Sequence, residues 1–163
     1  MKLFDLKVCD IQGRLFELAV KKSYDSKQFI KEFMNSETAK QLDSDYDFLQ
    51  WVGEEYILEQ FTEEKNIIQN GDTFDLDAIY WIGYIYRYWH YQYNETSKEI
   101  YKQANEEVMN SNYFVFQTFD PVLAIEDLKE IYKREKENNW SLTLIFVCGS
   151  ILHVARRASC SRK

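Results

Sequence analysis

Residues 80–93 read YWIGYIYRYWHYQY, and eight of these fourteen residues are aromatic. At about 100° per residue, Gly83, Arg87 and His90 fall close together, near 300°, 340° and 280° when Tyr80 is set at 0°. Aromatic and aliphatic side chains fill most of the remaining circle. The segment therefore reads as a helix buried on nearly all sides, with one narrow polar strip. That strip holds a fixed cation, a titratable imidazole and a gap.

Composition points the same way. The chain has 163 residues, enough for one domain with a sizeable core. It contains one proline and five glycines, too few for the many turns of an all-β fold. The expectation is an all-α, compact single-domain bundle of five to seven helices around a central aromatic helix at about 75–93. Residues 1–137 would form the helical domain. Residues 138–163, apolar and then basic, would be an atypical ending packed on it.

Charge narrows the function classes. Residues 138–163 carry four basic residues and no acidic ones, so the net charge of −7 leaves −11 on residues 1–137. An acidic body repels phosphate, which argues against nucleic-acid binding. Cys9, Cys148 and Cys160 are scattered, with no Cys-x-x-Cys and no histidine at metal-ligand spacing. They read as reduced thiols of a cytoplasmic protein. Acidic residues come too early in MKLFDLKVCD for a secretory signal.

Periodicity organises the rest. Phe4, Val8, Ile11, Leu15 and Leu18 stripe a first helix at about 3–22, with Gly13 a weak point. Ser26 can cap a second helix carrying Phe29, Ile30, Phe33 and Met34. A third helix spans about 47–61. Asn70-Gly71-Asp72 is the clearest turn signal. Thr96 and Glu99 form a capping box before a short helix. Residues 106–119 fit a helix turn or an extended piece. Asp120-Pro121 opens a last stripe through Val122, Ile125, Leu128 and Tyr132. The apolar run within 140–155 is well short of the ~20 residues that span a bilayer. It fits a buried final element, or an ending foreign to the domain, ahead of an amphipathic membrane anchor.

Candidate chemistry centres on the polar strip. Gly83 lets a ligand or a neighbouring helix approach. Arg87 offers a donor fork suited to carboxylate or phosphate. His90 titrates near neutrality. The structural alternative is close packing at Gly83, an ion pair at Arg87 and a satisfied boundary histidine. On a wheel drawn from Phe48, the residues Phe48, Trp51, Val52, Tyr56 and Leu58 of the third helix form a broad apolar arc, and Glu55 and Glu59 fall inside it. A carboxylate there needs a charge partner. The expectation is an ion pair of Arg87 with Glu55, or alternatively Glu59. In a functional version Glu55 and His90 would be an acid–base pair in a pocket.

No metal site or cofactor is expected. Neither His90 nor His153 has a glutamate three residues before it, as the ferritin-like pattern requires. Walker, dinucleotide and nucleophile-elbow motifs are missing. The twelve tyrosines and four tryptophans suit a protein interface, although a core boundary would also hold them.

From Tyr80 to about Tyr132, the pieces YWIGYIYRYWHYQYNETSKEIYKQA, MNSNY and DPVLAIEDLKEIY resemble a group of small uncharacterised helical proteins of low-GC Gram-positive bacteria. SKEIYK and AIEDLKEIY also look like a shorter bacterial family, often encoded beside ADP-ribosyltransferase-like proteins in toxin–antitoxin style pairs. These are helix-stripe residues, so the resemblance transfers no catalytic residue. It implies a small accessory or antitoxin-like partner. The functional expectation is a non-enzymatic intracellular protein-binding module whose partner is a protein, such as a toxin-like enzyme. It would bind neither nucleic acid nor membrane, and could form homo-oligomers. The alternative is a small enzyme or ligand-binding protein with a Glu55/Arg87/His90 pocket. A DNA-binding regulator comes third, for want of a basic recognition helix.

Overall fold

The apolar stripes resolve into helices in the computed structural model, which describes residues 2–45 and 47–138. The expectations for residues 140–163 lie outside them. The chain divides into two units, Met1–Leu128 and Lys129–Lys163. The fold is all-α, and among the described residues no strand forms; an isolated bridge joins Tyr24 and Gln69.

In the first unit, α1 (Leu3–Lys21), α2 (Ser26–Met34), α3 (Glu37–Leu42) and α4 (Glu54–Glu64) precede α5 (Leu76–Tyr93). Then come α6 (Ser97–Gln103), α7 (Glu106–Phe116) and a helical stretch over residues 121–128. In the second unit, residues 129–138 are helical.

Caps explain most of the boundaries. Asp25, one residue before the expected Ser26, caps α2 by accepting from the Gln28 amide at 2.8 Å. Ser36 caps α3 through the Ala39 amide. Thr96 and Glu99 form the expected reciprocal box at α6. Asn105 caps α7, so the ambiguous stretch after it is mostly helical. Asp120 accepts from the Val122 amide at 2.9 Å, as its Asp-Pro start predicts.

The expected helix over 47–61 is in fact two elements. Asp47 opens a 3₁₀ turn, Phe48–Trp51. Val52 and Gly53 are extended, with ψ of 166° at both, and α4 starts after them. That break, together with the separate α3, gives more helices than the five to seven expected.

Two packing centres build the core. Phe16, Phe29, Phe33 and Phe61 come from α1, α2 and α4, and all are sealed. Phe16 meets Phe29 and Phe33 edge to face at 5.3 and 5.2 Å, and Phe61 does the same at 5.3 Å to each. Such pairs add about 0.5–1.5 kcal/mol beyond area burial.

The second centre is the α1–α5 crossing, which glycines draw close. A Cβ at Gly83 would lie 2.6 Å from the Gln12 carbonyl oxygen, and one at Gly13 would lie 2.7 Å from Tyr80 Cε2. Gly83 therefore serves helix packing. The expectation that α5 is buried on nearly all sides needs correction. Ile79, Ile82, Ile85, Tyr86 and Trp89 are sealed, but Tyr80, Tyr84 and Tyr88 are half-buried. Those three form a ladder with ring centroids 6.3 and 6.1 Å apart. Their hydroxyls suit a core boundary, and Tyr80 donates to Asp10 at 2.7 Å.

The loop after α4 is tied back to the α1–α2 joint. Asp25 accepts from the Asp72 amide, and the Ser26 hydroxyl accepts from the Phe74 amide. Asn70 takes the left-handed φ of 60°. A Cβ at Gly71 would lie 2.4 Å from Asp25 Cβ, so glycine is required there by close approach.

Candidate functional site

The polar strip of α5 is buried, and a chain of hydrogen bonds satisfies most of it. Gln12 stands on the inner face of α1, four residues after Val8 and four before Phe16. Its Nε2 donates to the Gly83 carbonyl at 3.1 Å, and its Oε1 accepts from Arg87 Nε at 2.8 Å. Arg87 is fully buried, and its Nη1 donates to Asp43 Oδ1 at 2.7 Å. Asp43, the residue that ends α3, also accepts from the Ser97 hydroxyl and amide, each at 2.7 Å. The carboxylate thus joins the end of α3, the middle of α5 and the start of α6. A buried charge of this kind is tolerable because it is both paired and hydrogen-bonded.

The expected partners of Arg87 are corrected. Glu55 and Glu59 are exposed, and Asp43 takes the place assigned to Glu55. The cause is the break at Val52 and Gly53, which resets the helical phase. In α4 the inward residues are Ile57, Leu58 and Phe61, and Glu55 falls in the first, solvent-facing turn.

His90 shares the strip, held through one ring nitrogen. Its Nδ1 lies 2.8 Å from the Glu95 carbonyl oxygen, which can only accept, so Nδ1 carries the proton. Asp43 Oδ1 is 3.7 Å away. Burial lowers the His90 pKa, the adjacent Arg87 charge lowers it further, and the Asp43 carboxylate opposes both. The ring is neutral near pH 7. A cavity of about 370 Å³ between α3 and the start of α6 reaches Asp43, but neither Arg87 nor His90 lines it. Glu55 is exposed on α4, apart from the buried Arg87.

Cys9 on α1 is fully buried, and burial pushes its thiol up to about 12, which makes it a poor nucleophile. Among the described residues, no group of three or more His, Cys, Asp or Glu is placed to hold a metal ion. Nor is any helix among them long and apolar enough to cross a membrane.

An exposed aromatic group lies at residues 48–56. Phe48, Trp51 and Tyr56 are 64%, 67% and 42% exposed. A 3₁₀ turn eclipses side chains three apart, which puts Phe48 and Trp51 on one face. Phe48 meets the Tyr56 ring edge to face at 5.9 Å, and Trp51 lies on Phe4 of α1 at 4.6 Å. Gln50 holds the turn in place, donating to the Leu42 and Ser44 carbonyls at 3.1 and 2.8 Å. Asp45, Glu55 and Glu59 are exposed in the same stretch of chain. The wheel of a single helix placed Phe48, Trp51 and Tyr56 in a core arc, so this face was missed. The Val52-Gly53 pair was the signal that could have revealed it.

The chain matches no protein-family model, no curated protein and no solved structure.

Proposed function

We propose that this chain is a non-enzymatic, intracellular protein-binding module whose contact face is the acidic, aromatic surface of residues 48–56. One observation carries the reading. Phe48, Trp51 and Tyr56 stand exposed together within nine residues, although the same unit seals four phenylalanines in its core. Clustered exposed aromatics of this size mark interaction sites. Tryptophan and tyrosine are also the side chains that dominate binding hot spots. The surrounding carboxylates favour a basic partner surface and exclude acidic ones. The resemblance of SKEIYK (97–102) and AIEDLKEIY (124–132) to a family often encoded beside toxin-like proteins supports a partner encoded by the adjacent gene, with a basic catalytic cleft for this face to cover.

The test is the affinity of the purified chain for the product of that gene. Trp51→Ala should weaken binding by roughly 30-fold or more, the size of a hot-spot loss. Its melting temperature should stay close to that of the parent. Unchanged affinity in Trp51→Ala would remove this surface from the interaction.

A further inference from the structure

Beside the exposed aromatic face lies a cavity of about 220 Å³. Small-molecule sites run from about 300 to 1,000 Å³, so this one is closer to the size of a single side chain. Phe4, Trp51 and Tyr91 line it, together with the carboxylate residues Asp5 and Asp45. Lys2 is also among the lining residues. Resting on the reading of residues 48–56 as a binding face, we propose that this cavity takes the guanidinium group of an arginine from the partner.

The chemistry of the lining selects that occupant. Phe4 and Trp51 supply neighbouring ring faces, their centroids 4.6 Å apart and their planes tilted by 35°. A planar cation stacks on such faces, best of all on tryptophan. Asp5 spends one oxygen on the Lys2 amide at 2.7 Å and keeps the other. Asp45 is exposed at the lining. Two carboxylates against one ammonium leave the lining net negative, which turns away an anion. Two carboxylates also make a poor setting for a purely apolar anchor. Tyr91 adds a third ring to the lining. A lysine ammonium would satisfy the charge but not the flat stacking surface.

The test is a titration of the full-length, ¹⁵N-labelled chain with the capped peptide acetyl-Gly-Arg-Gly-amide. The indole N–H resonance of Trp51, identified by its loss in Trp51→Phe, is the readout. Saturable movement of that resonance is expected. The peptide carrying neutral citrulline in place of arginine should bind about fivefold more weakly or worse. Asp45→Asn should weaken the arginine peptide by a similar factor, and Lys2→Gln should tighten it. Equal movement with citrulline, or none with arginine, overturns the assignment. Two failures stay distinct. If the peptide does nothing but Trp51→Ala still loses the adjacent-gene product, the cavity assignment falls and the binding face stands. If Trp51→Ala keeps that partner at full affinity, the face itself falls, and the arginine pocket falls with it.

Discussion

The strip on α5 and the face at residues 48–56 both combine aromatic and charged residues, yet they do opposite things. In the strip, every named group looks inward. Gln12, Asp43 and Ser97 close around Arg87, and the charge is fully buried. At residues 48–56 the rings are largely exposed among the described residues. The first arrangement joins three helices to a fourth. The second leaves aromatic side chains of the kind that dominate binding hot spots largely exposed. An arginine and a histidine among aromatics suggest a reactive pocket in the one-dimensional chain. In three dimensions Arg87 is closed by Gln12 and Asp43, while the rings of Phe48 and Trp51 stay exposed.

Substitutions separate the two regions. The largest effect is expected at Arg87. Arg87→Leu leaves Asp43 buried without its charge partner, and unfolding in urea should show a loss of about 3–5 kcal/mol. Partner affinity, measured on the fraction that remains folded, should change little. A folded, stable Arg87→Leu that no longer binds would merge the two regions into one site.

Gly83→Ala comes next. The added methyl meets the Gln12 carbonyl, a backbone atom that cannot rotate away, and the α1–α5 crossing has to open. Overpacking of this kind costs about 1–3 kcal/mol. A variant as stable as the parent would mean that the crossing is looser than its geometry implies.

The smallest effect is the dependence on pH. The His90 pKa is depressed in the folded chain, so the unfolded chain binds a proton at pH values where the folded one does not. Stability from this group is therefore complete above the ordinary imidazole value of about 6.5 and is lost as pH falls below it. His90→Gln should flatten that part of the stability–pH curve, and binding at the aromatic face should not follow it. A stability curve with the same slope in His90→Gln would place the titration elsewhere.

Much of this was legible in the sequence. The α1 stripe, the central position of α5, the capping box at Thr96 and the Asp120-Pro121 start all rest on interactions between residues within four positions of one another. Arg87 was legible as a buried cation in need of an acid. Which acid was not, because Asp43 follows a six-residue helix that carries no long stripe. It reaches Arg87 across 44 residues of chain. A helical wheel holds no information about that distance. Gln12 carries a signal of its own, since a polar amide midway between Val8 and Phe16 on an apolar face implies a buried partner. The aromatic face was hidden by reading 47–61 as one helix, although Gly53 is a poor residue for a helix interior.

The central claim is that the strip is closed by Asp43 and that the acidic residues of α4 belong to the surface. It is tested most directly by the urea-unfolding free energies of Asp43→Ala and Glu55→Ala, measured side by side. The account predicts a loss of about 3–5 kcal/mol for Asp43→Ala and a change within about 0.5 kcal/mol for Glu55→Ala. The reverse order, with Glu55→Ala the damaging substitution, would contradict it.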